Sequence, residues 1–122
     1  MRFIETKTHG IIDYLVGVLI LILPAAAGWD FRQAESIVLM VFGIMTIIMS
    51  LMTAYEYSME KIIPVSTHLM IDVLGGIIVA ISPWLFEFAD RVYLPHLIVG
   101  LFSIAAGLLT KTISQPSLNP KI

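Results

Sequence analysis

The chain carries one pattern of polar and small residues twice, and this repeat constrains its architecture more than any other feature. The first copy has a Thr-His step, an Asp four residues after the His, then a Gly and a Pro: Thr8, His9, Asp13, Gly17 and Pro24. The second copy lies 59 positions later: Thr67, His68, Asp72, Gly76 and Pro83. Apolar residues of two hydrophobic segments often match by chance, but a Thr, a His, an Asp, a Gly and a Pro rarely all match at the same offset. The repeat predicts two copies of one structural unit.

The composition indicates that lipid covers much of the surface. Of 122 residues, 58% are hydrophobic and 13% are charged, and the mean hydropathy is +0.94. A soluble domain carries about 25% charged residues, and a small domain leaves much of its surface exposed. The formal net charge of −2 gives no indication of a nucleic-acid partner, and the absence of cysteine excludes disulfides and thiolate metal sites. The chain is therefore expected to be an integral membrane protein.

Four segments have the length and apolar character of spanning helices: Gly10–Ala27, Ser36–Tyr55, Leu69–Phe86 and Tyr93–Leu109. Helices are expected because an open strand cannot pair its backbone groups in lipid. The second helices of the two units match at an offset of 57, so the first hairpin loop is two residues longer. The predicted fold is an all-α integral membrane four-helix bundle built from two parallel-oriented tandem helical hairpins. Repeat one covers about residues 6–58, repeat two about 65–113, and residues 114–122 are expected to form a flexible tail of this single domain.

The basic residues predict the orientation in the membrane. Five lie at the two termini or in the middle loop: Arg2, Lys7, Lys61, Lys111 and Lys121. Only Arg32 and Arg91 lie in the hairpin loops. The positive-inside rule then places both termini in the cytoplasm of a bacterial or archaeal inner membrane. The N-terminal segment has some features of a cleavable signal peptide, but its repeat partner in mid-chain argues against that interpretation.

A tripeptide at the end of the third helix resembles a family motif. Ser82, Pro83 and Trp84 stand within the duplicated hairpin frame, and the chain thereby resembles the SPW repeat family of small membrane proteins. The first unit reads Leu23-Pro24-Ala25 at this place and keeps only the proline. Trp29 is a candidate for a displaced aromatic anchor. The resemblance implies a membrane-bound protein and assigns no activity, cofactor or partner.

The pairs His9–Asp13 and His68–Asp72 are the candidate functional residues. Each pair is spaced by four, so both members lie on one helix face. The first interpretation is structural: the aspartates lie in first turns, where the helix dipole favours negative charge, and Thr8 and Thr67 cap the helices. The pairs then fasten the two units together. Placing a carboxylate inside a membrane-spanning helix costs free energy, and two such carboxylates are expected only if they have a structural or functional role.

Two functional interpretations stay open beside the structural one. A histidine beside a carboxylate can relay protons in a small proton-coupled carrier, although few polar residues continue the path: Thr46, Ser50, Ser82 and Ser103. Alternatively, facing histidines could ligate haem, or hold a metal ion with the aspartates, and a quinone is a further candidate cofactor. The cofactor remains unknown and no metal ligand set is assigned. No nucleophile–base pair or zinc motif is present, so enzymatic activity is not expected.

The remaining features favour packing. Small residues form a stripe on the fourth helix, Gly100, Ser103 and Gly107, and a matching stripe on the second, Gly43 and Ser50, where close helix contact is expected. Gly75-Gly76 is expected at a helix crossing, and His96 is expected to be solvated or to cap a helix. The sequence as a whole predicts a non-enzymatic membrane scaffold or partner-binding protein. Its partners are the lipid bilayer and, as a further expectation, a second copy or another membrane protein, and not nucleic acid.

Overall fold

The computed structural model describes residues 1–113, so the predicted flexible tail lies outside the described residues. Four helices follow one another: α1 (Thr6–Ala26), α2 (Ala34–Met52), α3 (Val65–Leu85) and α4 (Leu94–Leu109). The described part of the chain contains no strand, only two isolated bridges. The prediction of an all-α fold with four helices is confirmed.

The outer surface is that of a membrane protein. Helices α1, α2 and α3 are long and apolar enough to cross a bilayer, and α4 is a shorter apolar helix. At 16 residues, α4 is about 24 Å long, somewhat shorter than the hydrocarbon core of about 30 Å. Large apolar side chains are exposed on all four helices, among them Leu15, Leu19, Ile48, Ile78 and Leu101. These exposed apolar side chains are the ones that would contact the lipid of the bilayer.

Helices α1 and α3 each begin four residues before the predicted starts. Their first residues are Thr6 and Val65, so Thr8 and Thr67 are the third residues of their helices and do not occupy the N-cap positions. The expected capping role of Thr8 and Thr67 is therefore wrong. The uninterrupted apolar run begins after the helix does, because the first backbone hydrogen bonds form before it, as from the His9 amide to the Glu5 carbonyl at 3.0 Å.

Each of these helix starts is tied to the end of a second helix. The amides of Phe3 and Ile4 donate to the Leu109 carbonyl at 2.8 and 3.0 Å. At the repeat-related place, the amides of Ile62 and Ile63 donate to the Met52 carbonyl at 3.0 and 2.8 Å. These bonds satisfy carbonyls that a helix C-terminus leaves unpaired. They also fix where α1 and α3 begin relative to α4 and α2.

Within each hairpin the two helices cross at a pair of glycines. In the second hairpin, a Cβ added to Gly100 would lie 2.5 Å from the Gly76 carbonyl oxygen and 2.4 Å from the Ala80 amide nitrogen. In the first hairpin, a Cβ on Gly43 would lie 3.0 Å from the Gly17 carbonyl oxygen. Real side chains do not fit at the closer of these distances, so the backbones themselves are in contact. The predicted crossings are confirmed at Gly43, Gly76 and Gly100, whereas Gly75 faces Phe42 of α2.

Candidate functional site

The two predicted His/Asp pairs meet in a single cluster between α1 and α3, here called the quartet: His9, Asp13, His68 and Asp72. The shortest contacts run between the helices, with His9 Nε2 2.9 Å from Asp72 Oδ2 and His68 Nε2 3.0 Å from Asp13 Oδ2. Within each helix the Nε2–Oδ distance is 3.3 Å. Each histidine is therefore closer to the aspartate of the other hairpin than to its own.

The quartet is buried within the first two turns of its helices. His9 and His68 are 1% and 0% exposed, and the side chains of both aspartates are 12% exposed. Asp13 and Asp72 are each the eighth residue of their helix, so their expected place in the first turn is wrong. The dipole effect fades beyond the first turn. Contacts between the two hairpins, rather than the helix ends, therefore account for these carboxylates.

The far side of each histidine ring is held by a threonine of the other repeat. His9 Nδ1 lies 2.6 Å from Thr110 Oγ1, and His68 Nδ1 lies 2.7 Å from Thr53 Oγ1. Both hydroxyls already donate to the carbonyl four residues earlier in their own helix, at 2.6 and 2.5 Å. A hydroxyl has one proton to donate, so in both contacts the ring Nδ1–H must be the donor. Each ring consequently keeps a proton on Nδ1 and presents Nε2 to the carboxylates.

Thr53 and Thr110 match at the offset of 57 that relates the second helices, but the sequence alone assigns them no role. The available signal was a polar residue repeated at the end of two otherwise apolar helices. The spacing within each helix could not show which histidine each threonine would meet. That pairing depends on how the helix ends return to the starts of α1 and α3.

The Nε2 contacts have ion-pair lengths without hydrogen-bond direction. Within the described residues, neither Nε2 atom nor Asp72 Oδ2 has a hydrogen-bond partner, although all three are buried. The oxygens at 2.9–3.3 Å therefore lie away from the direction in which a ring N–H would point. The four side chains can each place one ligand atom so that these atoms all lie within 4.8 Å of one another. Their polar atoms converge on a common volume.

The two halves of the quartet differ in one hydroxyl. Ser50 Oγ donates to Asp13 Oδ2 at 2.7 Å. The repeat-related residue is Gly107, where a Cβ would lie 2.7 Å from the Leu69 carbonyl oxygen. Close packing of α4 on α3 thus leaves no space for a serine, and Asp72 Oδ2 receives no equivalent bond.

Tyr55 covers the quartet on the side of the middle loop. Its ring centroid lies 5.6 Å from that of His9 and 5.0 Å from that of His68. The side chain is 1% exposed, and burial raises the pKa of its hydroxyl. A Cβ on Gly10 would lie 3.3 Å from the Tyr55 ring, so a glycine is the residue that lets the ring approach α1.

A cavity of about 20 Å³ borders the two aspartates on the other side. All four helices line it, with Thr46 and Ser103 as its other polar side chains. The volume is enough for about one water-sized group and too small for a porphyrin or a quinone ring. The carboxylates also stand within 3.3 Å of both Nε2 atoms, in the space that a haem plane would need. The geometry of the quartet therefore has no space for a haem or a quinone ring.

A second polar connection joins the hairpins at the opposite end of the bundle. Arg91 donates to both carboxylate oxygens of Glu35 at 3.1 and 2.9 Å. His96 Nε2 lies 2.9 Å from the Glu35 carbonyl oxygen, to which it donates. His96 is 0% exposed, between Trp29 at 5.9 Å and Phe88 at 4.7 Å between ring centroids. The expected solvated or capping role of His96 is wrong, because aromatic side chains of both hairpin loops fold over it.

The SPW tripeptide ends α3 without reaching the quartet. Ser82 is buried and donates to the Val79 carbonyl at 2.6 Å, Pro83 is buried, and Trp84 is exposed. The amide of Phe88 donates to the Pro83 carbonyl at 2.8 Å, as the amide of Trp29 does to the Pro24 carbonyl at 2.9 Å. Trp29 therefore corresponds in position to Phe88 and not to Trp84.

Comparisons with known proteins bear on this fold and site. The SPW repeat domain matches residues 7–110, a range that includes both hairpins and the whole quartet. A search of curated proteins found no match, and a search of solved structures found none. The matched range covers most of the chain, and the repeated hairpins with the Ser82-Pro83-Trp84 ending agree with it. The chain belongs to the SPW repeat family.

Proposed function

We propose that this protein is a non-enzymatic membrane scaffold in which the quartet clamps the two hairpins together. The observation that carries the proposal is the set of distances: the contacts between hairpins, at 2.9 and 3.0 Å, are shorter than those within helices, at 3.3 Å. Side chains that served only their own helix would have no reason to exchange partners.

The threonine bonds strengthen this argument. Each histidine takes its shorter carboxylate contact and its threonine contact from the other hairpin. The Glu35–Arg91 pair adds a connection at the opposite end. In the residues that the structure describes, no hydrogen bond joins the quartet directly to that pair, so a clamp at each end describes the contacts better than a continuous proton path.

The test is the stability of Asp13→Asn and Asp72→Asn in detergent, with the metal-free protein. A buried charged partner left unpaired costs about 3–5 kcal/mol in water-soluble proteins, and polar contacts between membrane helices average about 0.6 kcal/mol. We expect a loss between these limits, about 1–3 kcal/mol, and a lower midpoint of thermal unfolding. Asp90→Asn is the control, since Asp90 is exposed. Wild-type stability in both quartet variants would contradict the clamp.

The partner of the scaffold is proposed to be another transmembrane segment, with a second copy of this chain as the first candidate. An apolar groove of about 270 Å³ lies between α2 and α3, where the two hairpins adjoin. The chain has no cysteine, so Ile78→Cys in the groove and Leu101→Cys on α4 make a clean pair for crosslinking in membranes. Crosslinked dimers from the first variant and not the second are expected. Equal crosslinking at both positions would contradict the assignment.

The proposed location is a bacterial or archaeal inner membrane with both termini cytoplasmic. The excess of Lys and Arg at the termini and in the middle loop supports this orientation. Ser58→Cys in the middle loop should then be labelled by a maleimide only in opened cells, whereas Asp90→Cys should be labelled from outside. The reverse labelling would require the opposite orientation.

A further inference from the structure

We propose that the quartet is a binding site for one divalent transition-metal ion of the zinc type, ligated by Nε2 of His9 and His68 and by one carboxylate oxygen each of Asp13 and Asp72. The inference goes beyond the clamp, because a quartet held together by protons alone would fasten the hairpins as well. A metal ion would give the same four residues a ligand and make the joint between the hairpins dependent on that ligand.

The first argument is the direction of the histidine rings. Both Nδ1–H groups are engaged by threonine hydroxyls that must accept. A metal-binding histidine in proteins almost always donates its other ring N–H to an oxygen acceptor in this way, which fixes the tautomer and leaves the ligating nitrogen free. Here the free nitrogen is Nε2 in both rings. Both Nε2 atoms are buried and without a hydrogen-bond partner, and both face the carboxylates.

The second argument is the spacing of the ligand atoms. Zinc binds nitrogen and carboxylate oxygen at about 2.0–2.2 Å in tetrahedral sites, which places neighbouring ligand atoms about 3.3 Å apart by the same geometry. The observed Nε2–Oδ distances are 2.9, 3.0, 3.3 and 3.3 Å. Asp13 contacts both rings through Oδ2, whereas Asp72 contacts His9 through Oδ2 and His68 through Oδ1, so binding through one Asp72 oxygen involves a rotation of that carboxylate. Ser50 holds Asp13 Oδ2 at 2.7 Å, as an outer hydrogen bond orients a ligating carboxylate.

The third argument is the donor set. Two imidazoles and two carboxylates without a thiolate suit zinc and its neighbours in the first transition row. Calcium takes six to eight oxygen ligands, and magnesium keeps several waters in an octahedron, so neither is matched by two nitrogens. Two carboxylates also balance a divalent charge in a buried site, which a monovalent ion would leave half uncompensated.

The site also offers a way in and space for a water. The aspartate side chains are the more exposed part of the quartet, at 12%, and they border the cavity of about 20 Å³. The cavity has space for about one water beside the ion, outside its four protein ligands. Tyr55 closes the histidine side, so an ion would approach past the carboxylates.

The experiment uses full-length protein in mild detergent, purified without a polyhistidine tag and stripped with a chelator. Zinc chloride is titrated by calorimetry and in competition with a fluorescent zinc indicator. We expect one Zn²⁺ per chain. Cobalt chloride should give the visible absorption of tetrahedral Co²⁺, and zinc X-ray absorption should give nitrogen and oxygen neighbours at about 2.0–2.1 Å.

Variants then locate the ion. His68→Gln removes a ligand, and we expect its zinc affinity to fall at least 100-fold. Thr110→Val keeps all four ligands and removes only the acceptor of His9 Nδ1–H, and a fall of about 10–100-fold is expected. His96→Gln is the matched control, since His96 donates to the Glu35 carbonyl at the opposite end; its affinity should be unchanged.

Three results would overturn the proposal: no binding at one ion per chain, an affinity unchanged in folded His68→Gln, or an octahedral cobalt spectrum without imidazole neighbours. The proposed clamp fails separately, because it is measured on metal-free protein. A wild type that binds no zinc but loses stability in Asp13→Asn keeps the clamp and loses the metal site. If the wild type binds zinc and metal-free Asp13→Asn is as stable as the metal-free wild type, the metal site is kept and the clamp is lost.

Discussion

The adjacent glycines of α3 provide a sensitive prediction about how the second hairpin is packed. A Cβ added to Gly76 would lie 2.7 Å from the Gly100 carbonyl oxygen and 3.0 Å from the Ile104 amide nitrogen, both backbone atoms of α4. A Cβ added to Gly75 would meet only the Phe42 ring, at 3.1 Å. We therefore expect Gly76→Ala and Gly75→Ala to have different effects, although both change the same residue type in one helix.

The expected change in the free energy of unfolding has one contribution common to both variants, helix propensity, and one that differs between them, the contacts of the added Cβ. Alanine is favoured over glycine inside a helix by about 0.8–1 kcal/mol, and this gain is common to both variants. Phe42 borders the apolar groove, so its ring can move, and Gly75→Ala should be neutral or stabilising. Gly76→Ala must push the backbones of α3 and α4 apart, and overpacking of this kind costs about 1–3 kcal/mol. The difference between the two variants should therefore be about 1–3 kcal/mol.

The assay is reversible unfolding in mixed detergent micelles, followed by near-ultraviolet circular dichroism, with the free energy of unfolding compared between variants. Gly100→Ala on the facing helix serves as a second check, since its Cβ would lie 2.4 Å from the Ala80 amide nitrogen. It should destabilise at least as much as Gly76→Ala. Equal stability of Gly75→Ala and Gly76→Ala would refute the reasoning, because the crossing would then not be limited by backbone contact.

Two further predictions concern the hairpin loops. Glu87 has a φ of 60°, a left-handed conformation that costs an L residue about 1–2 kcal/mol, so Glu87→Gly should raise the midpoint of thermal unfolding. Gly28 has a φ of 73° at the repeat-related position, so Gly28→Ala should lower that midpoint. A lower midpoint for Glu87→Gly would contradict this reasoning. Glu35→Gln removes the charge opposite Arg91, and since the Arg91 side chain is 47% exposed, we expect a loss of only about 1 kcal/mol, measured by the same unfolding assay. Asp90→Asn should lie within error of wild type in that series, and an equal loss there would assign the effect to net charge instead.

Much of the fold could be predicted from residue order because the controlling forces are local. Apolar runs of spanning length require helices in lipid, since unpaired backbone groups are costly there. The duplicated His, Asp, Gly and Pro then indicate two hairpins, and the small residues indicate where helices approach. The helix starts were misplaced by four residues because they depend on backbone bonds to the preceding chain, such as that from the Lys111 amide to the Ile4 carbonyl at 2.8 Å, which hydropathy does not report.

The sequence predicted the two His/Asp pairs of the candidate site but not the contacts between them. A spacing of four residues places His9 beside Asp13 on one helix face, and the repeat places a second pair on α3. The sequence by itself therefore determined that this protein has two such pairs, on apolar helices, in two similar hairpins. It could not determine that His9 lies closer to Asp72 than to Asp13, or that Thr110 fixes the proton on its ring. Those pairings depend on the rotation of each helix about its axis and on the depth of the glycine crossings, and both are set by packing between segments far apart in the chain.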